Sequence, residues 1–451
     1  MPDHTLSHVT VASTLAAVIS PITGGDLPVR LIAWDGSSAG PTDAPVVRLK
    51  SADALRRLLW HPGELGAAQA YVTGELDVDG NIGDALRTVR ATLATRSVRS
   101  LRPPPAALAH GVKAARDLGV IGRPLNPPPT QAQLGGRLHS LRRDSSAISF
   151  HYDLSNEFYE AILDEQMTYS TAYVTDPKVD LNAGHESAAY TLEDGQRDKL
   201  DLICRKVGLD ERGGMRLVDI GCGWGSLTLH AAREYGAKVV AVTIAKEQQT
   251  FVQARAIEQG VADLVDVRLQ DYREVSDPPF DAVVSIEMGE HVGDINYPTY
   301  AKTLHRLTAP GARVLIQAMS RPGTNPGGGP FIESFIAPDM SMRPLGQTIA
   351  LLERGGLEVR DVHAMREHYV WTIRAWEKRF YAKREQLVEL VGEEVCRVWD
   401  LYLAGSALTF EQGRMGVDQI VMVRALADGS SGLPHERPAS WSGGKRPDRS
   451  R

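Results

Sequence analysis

The run Leu217-Val218-Asp219-Ile220-Gly221-Cys222-Gly223-Trp224-Gly225 decides the fold of this chain. Its first residues, apolar but for one carboxylate, read as the end of a buried strand. Three alternating glycines then permit a tight turn and close backbone approach to a ligand. Residues 226–235 read as the helix that follows. Strand, glycine loop and helix in this order make a nucleotide-type cofactor site at the carboxyl edge of a parallel sheet. The spacing G-x-G-x-G is not the dinucleotide G-x-G-x-x-G, and no G-x-x-x-x-G-K-[ST] loop occurs. A smaller cationic ligand such as S-adenosylmethionine (SAM) fits Gly221, Gly223 and Gly225, with Asp219 near its positive end.

Outward from this run, helix and strand patterns alternate between about 195 and 425. Strands are expected over 216–220, 239–243, 265–269, 282–286 and 314–318, with antiparallel additions over 357–362 and 420–423. Helices are expected around 227–235, 246–259 and 297–307. The pattern predicts an α/β fold with a doubly wound, seven-stranded Rossmann-like sheet. Strand two ends in Thr243, followed by Gln248, where most SAM-dependent methyltransferases carry an acid for the ribose. Both side chains still hydrogen-bond a ribose. Strand three runs into Asp271 and Tyr272, a carboxylate and an aromatic where adenine would lie. Taken singly, Thr243 also reads as a helix cap and Tyr272 as packing.

Upstream, residues 1–85 mix short strands and helices and read as a smaller N-terminal α/β domain. Strand patterns lie at 29–34, 46–49 and 75–78, and a helix at 53–60. Residues 86–145 read as a basic linker broken by two Pro-Pro-Pro runs. Between 86 and 143, Arg87, Arg90, Arg96, Arg99, Arg102, Lys113, Arg116, Arg123, Arg137, Arg142 and Arg143 face the single acid Asp117. The stretch reads as a solvated connector or as a patch attracted to an anionic phospholipid surface. A methyltransferase domain is expected over 146–428 and a disordered tail over 429–451.

The 451 residues carry a formal charge of −6, which argues against a nucleic-acid partner. Cys204, Cys222 and Cys396 are widely spaced, so neither a zinc site nor a disulfide framework is expected. The N-terminus lacks a basic n-region, and no apolar run approaches the ~18 residues of a membrane span. A cytoplasmic protein with peripheral membrane contact is the expectation. Nothing in the residues decides for or against a homo-oligomer.

The chain resembles the cyclopropane-fatty-acyl-phospholipid synthase family of SAM-dependent methyltransferases over about 45–425. The resemblance rests on His151-Tyr152-Asp153-Leu154-Ser155-Asn156, Met167-Thr168-Tyr169-Ser170, the glycine loop, Glu290-His291-Val292-Gly293 and His368-Tyr369. It implies a class I methyltransferase fold, with Tyr169 and Ser170 folding over SAM. It implies methylation of a cis double bond in an unsaturated phospholipid acyl chain. Such an alkene needs no activating base, but close approach to the methyl donor in a dry site. The resulting carbocation calls for negative or π charge nearby, and Glu290 and Tyr369 occupy the family positions for this. Taken singly, Glu290 also reads as a cap or ion pair, and Tyr369 as core.

Cyclopropane formers in this family remove a proton with a bound bicarbonate. Here Gln317 stands where a bicarbonate-binding histidine is usual, Met319 replaces an isoleucine, Thr171 a cysteine and Ser406 another. Glutamine does not carry protons as histidine does, so bicarbonate and ring closure are both put in question. A hydride shift and proton loss would instead give an exocyclic methylene. Residues 285–293, SIEMGEHVG, look closest to the actinobacterial 10-methylene and 10-methyl (tuberculostearic-type) branch, where a separate reductase would finish the product. The alternatives are a cyclopropane synthase that tolerates Gln317, a small-molecule N- or O-methyltransferase, and a non-enzymatic lipid carrier. The last predicts a decayed glycine loop, and this loop is intact.

Overall fold

The computed structural model describes residues 10–96, 105–132, 143, 155–181, 186, 189–323 and 327–442. The chain divides into two compact units.

The larger unit holds a seven-stranded sheet. Its strands are β5 (Arg216–Ile220), β6 (Lys238–Thr243), β7 (Val265–Leu269), β8 (Phe280–Ile286), β9 (Thr308–Ser320), β10 (Glu358–Ala364) and β11 (Gly416–Val423), in the order β10-β11-β9-β8-β5-β6-β7. Strands β5 to β9 run parallel, and β11 lies antiparallel between β9 and β10. The parallel strands are covered on both faces, which is why they read as continuous apolar runs. Leu217, Val239 and Ala282 enter one apolar cluster, and Val218, Val242 and Val283 the other. All seven expected strands are present. Strand β9 extends well past the expected 314–318, because its pairing with β11 continues from Arg313 to Ser320.

The smaller unit carries a four-stranded sheet of β1 (Arg30–Ile32), β2 (Ser38–Ala39), β3 (Val46–Leu49) and β4 (Leu76–Val78), in the order β2-β1-β3-β4. It reaches Ala132, beyond the expected end at 85, and takes in 330–336 and 388–408. The stretch read as a linker contains the helices Ile82–Thr95 and Pro105–Asp117. Ala85, Ala114 and Ala115 bury narrow small-residue faces that the surrounding arginines mask in the sequence. Arg397 explains the sequence-remote addition. Its guanidinium donates to Tyr71 O at 2.6 Å and Leu76 O at 3.0 Å, and pairs with Asp77 at 3.0 Å.

The tail also differs from expectation. Trp441 is buried against the cluster around Leu200 and Leu217, Arg437 pairs with Asp361 at 2.9 Å, and Tyr173 Oη donates to Ser442 O. One indole anchors a segment whose composition otherwise favours solvent. Residues 443–451 lie outside the described residues, as do Arg99, Arg102, Arg137, Arg142 and His151 to Leu154. Among the described residues, no helix is long and apolar enough to cross a membrane, and no group of three or more His, Cys, Asp or Glu converges to hold a metal.

Candidate active site

A cavity of about 1350 Å³, its mouth included, opens at the carboxyl edge of β5, β6 and β8 in the larger unit. Gly221, Gly223 and Gly225 adopt φ of 79°, 53° and 79°, left-handed values that favour glycine. Gly221 and Gly223 line the cavity. A Cβ on Gly221 would lie 2.6 Å from the Met288 side chain, whereas one on Gly223 would meet nothing within 4 Å. The loop therefore leaves open space directly over Gly223. Gly225 stands behind the lining as the N-cap of the helix Ser226–Tyr235, and a Cβ there would lie 2.7 Å from Val252.

Asp219 is buried beneath the loop and accepts from Thr228 Oγ1 at 2.7 Å. Burial lifts its pKa to about 6, opposed by Thr228 and by Lys199. Thr243 Oγ1 donates to Gln248 Oε1 at 2.7 Å, so at this edge the cavity meets a hydroxyl and an amide rather than an acid. Asp271 and Tyr272 line the same side, but Asp271 is held by Arg273, with two contacts of 2.7 Å.

Tyr169 and Ser170 close the opposite side. They follow a tight turn in which the Asp164 carboxylate accepts from the N–H of Thr168 at 2.8 Å and of Gln166 at 3.1 Å. Tyr169 packs among Tyr159, Trp224 and Trp376, and Trp224 Nε1 donates to Asn156 Oδ1. Ser170 Oγ accepts from the fully buried Lys199 at 2.9 Å. Open space above Gly223, a buried carboxylate at its base and an aromatic cover fit a cationic, adenosine-bearing ligand.

The three residues expected to be catalytic are buried but do not line the cavity. Two of them converge on Glu287, which the sequence reading missed. Tyr369 Oη donates to Glu287 Oε2 at 2.8 Å, Gln317 Nε2 to Oε1 at 2.7 Å, and Thr171 N–H to Oε1 at 3.1 Å. Glu287 does line the cavity, and it sits at φ 50°. Met167 and Asp339 are the other non-glycine residues with positive φ among those described, and both also line this cavity. Strained backbone of this kind gathers at functional sites. A charged residue just past the buried run of β8 was the signal available in the sequence.

Glu290, 1% exposed, faces the opposite situation. One carboxylate oxygen accepts from Met319 N–H at 2.5 Å, and the other has no partner among the described residues. Burial, then the nearby charge of Glu287, pushes its pKa up to about 8. Burial also raises Glu287, but its three donors and Lys199 oppose the rise. Three donors hold Glu287 and one holds Glu290, an asymmetry that favours the negative charge on Glu287 and the proton on Glu290.

A mostly parallel seven-stranded sheet with this loop and cavity defines a class I SAM-dependent methyltransferase, with SAM as methyl donor. A family model described as mycolic acid cyclopropane synthetase matches residues 139–420, and the chain belongs to that family. It is 35% identical to a probable fatty acid methyltransferase of Pseudomonas putida, over 91% of this chain and 95% of that one. It is 34% identical to tuberculostearic acid methyltransferase UfaA1 of Mycobacterium tuberculosis, over 92% of each. The solved structure of mycolic acid cyclopropane synthase CmaA1 complexed with SAH and CTAB superposes with a TM-score of 0.55 at 29% identity, covering 62% of this chain and 97% of that one.

Gly223→Val places a β-branched side chain on a left-handed backbone and fills the open space. SAM affinity, read by titration calorimetry, should fall by about a hundredfold or more; unchanged affinity would remove the loop from the cofactor site. Glu290, neutral when folded, stabilises the protein fully below the ordinary carboxylate pKa, and that contribution declines as pH rises toward about 8. Melting temperature between pH 5 and 8 should thus decline less steeply in Glu290→Gln than in the parent. Equal slopes would mean that Glu290 is already ionised.

Proposed function

We propose that this enzyme methylates the cis double bond of an oleoyl-type phospholipid acyl chain and releases a 10-methylene-branched chain. The observation that carries the reading is Glu287, a half-buried carboxylate held by three donors and lining the cavity of the glycine loop. An alkene offers π electrons but no acidic proton, so its methylation needs no base at the start. The need arises afterwards, when positive charge stands on the neighbouring carbon.

Bound SAM supplies the electron-poor methyl group that the π pair attacks. Glu287 places negative charge beside the resulting carbocation, and Tyr369 orients that carboxylate through its hydroxyl. A hydride shift carries the charge to the methyl-bearing carbon. Glu287 then accepts a proton from the new methyl group, and the C–H pair becomes the exocyclic double bond. Glu290, protonated, leaves the charge of Glu287 undivided. The names of the fatty acid and tuberculostearic acid methyltransferases support an acyl substrate.

A membrane source for that substrate is supported by the smaller unit. Arg90, Lys113, Arg116 and Arg123 are exposed there. Trp60 is 48% exposed, and its indole N–H donates to Gly122 O at 3.0 Å, which sets an aromatic beside Ile121 and Arg123. Exposed aromatic and basic groups together suit an anionic headgroup layer. Arg143, by contrast, is committed to a bidentate pair with Asp339.

Expression in a bacterial host fed oleate, with NMR of the extracted lipids, tests the reaction. Exocyclic methylene signals are expected; cyclopropyl signals would establish ring closure instead, and unmodified oleate would sink both. Glu287→Gln should lower kcat by about 10²–10⁴-fold with SAM affinity retained. Reversing the charges of Lys113, Arg116 and Arg123 should weaken co-sedimentation with phosphatidylglycerol vesicles by about tenfold or more, given roughly 1 kcal/mol per basic group. Equal sedimentation would mean that the patch does not meet lipid.

A further inference from the structure

The donor that Gln317 offers to Glu287 is itself fixed from behind. Gln419 Nε2 donates to Gln317 Oε1 at 3.0 Å, and Lys206 Nζ donates to Gln419 Oε1 at 2.8 Å. All three side chains are fully buried. The sheet register lines them up, because His363 on β10, Gln419 on β11, Gln317 on β9 and Ile286 on β8 are successive cross-strand partners. Glu287 follows Ile286, and its N–H donates to Gln317 O at 2.7 Å.

Burial lowers the pKa of Lys206 to about 7, with Asp361 opposing and Arg437 adding to the fall. While Lys206 is protonated the row has one self-consistent direction: an ammonium only donates, so Gln419 turns its carbonyl toward it. Its NH₂ then faces Gln317, whose carbonyl accepts, and the NH₂ of Gln317 is left for Glu287. An ionised carboxylate can only accept, which ends the row. Two amide dipoles thus lie head to tail between a cation and an anion and polarise each other. Neither amide relays a proton, so the row sets orientation and potential.

Lys206 is placed for this task by its own surroundings. It contacts His363 Nδ1 at 3.1 Å and lies 3.8 Å from Asp361, which Arg437 holds from outside. Burial, with Lys206 and Arg437 adding to it, keeps His363 neutral, its pKa lowered to about 4, so its Nδ1 accepts from the ammonium. The groups facing Glu287 itself are Glu290, Lys199 and Tyr369.

We propose that Lys206 and Gln419 are positioning residues, which orient the Gln317 amide so that it donates to Glu287 and keeps that carboxylate charged. The proposal rests on the reading of Glu287 as the group that faces the carbocation and takes the proton.

Gln419→Glu tests it with a side chain of the same shape. The introduced carboxylate would pair with Lys206, so a merely structural role predicts a protein at least as stable and fully active. The positioning role predicts the reverse. A carboxylate at this position accepts only, so Gln317 must turn its NH₂ toward it and its oxygen toward Glu287. Glu287 then takes up a proton. The acid limb of the kcat–pH profile should move up by about one unit, a tenfold loss on that limb, with KM and SAM affinity unchanged. Infrared difference spectra at neutral pH should show one added protonated-carboxyl band, absent when Glu287→Gln is combined with Gln419→Glu. Lys206→Met should act in the same sense, and Lys206→Arg should restore the profile. Parent-like kcat, pH profile and spectrum in Gln419→Glu would overturn the positioning role. An inactive parent enzyme would instead defeat the lipid-methylation reading.

Discussion

A half-buried carboxylate on a left-handed backbone is the constraint around which the larger unit is organised. Taking such a group partly out of water carries a cost that donors around it offset. Glu287 is compensated by three, and they come from distant parts of the chain: the segment before the sheet, strand β9, and the helix Arg366–Ala382. One side chain thereby ties together elements that the backbone ladders alone do not join. The segment at 171–174 is held by the same helix, through Ala172 N–H to Thr372 Oγ1 and Val174 N–H to His368 Nδ1.

The charges around the cavity form a consistent set. Three acids, Glu287, Asp164 and Asp219, act on the buried amine of Lys199, while burial pushes Glu290 toward its neutral form. Acids outnumber the one buried amine, a setting that favours a cationic donor and a cationic transition state. Lys199 bonds Ser170 beneath the aromatic cover, and both Asp219 and Glu287 act on it electrostatically. The cofactor side and the reacting side are therefore coupled through one buried amine.

Much of this was legible from the chain alone, and the reasons are local. Loop 221–225 announces itself because turn geometry depends on the residues in the turn. The parallel strands announce themselves because burial on both faces demands apolar residues in succession. The covering segment at Tyr169 and Ser170, expected over the cofactor, lines the cavity. Glu290 and Glu287 were harder to separate. Both are acids near the end of β8, and only the donors gathered around one of them distinguish their charge states. Gln317 read as a lost histidine, whereas in three dimensions it is one member of a directed row. Trp441 and the helices over 82–117 were hidden by composition, since a few anchoring side chains suffice to fold a segment that is otherwise polar.

The residues by themselves determined the α/β class, the succession of strands around the glycine loop and a site for a cationic donor, because these follow from short-range periodicity and turn chemistry. Tertiary structure alone decided which acid gathers the donors and how it is held. That outcome depends on hydrogen bonds between residues separated by 30 to 116 positions in the chain, and no local pattern encodes them.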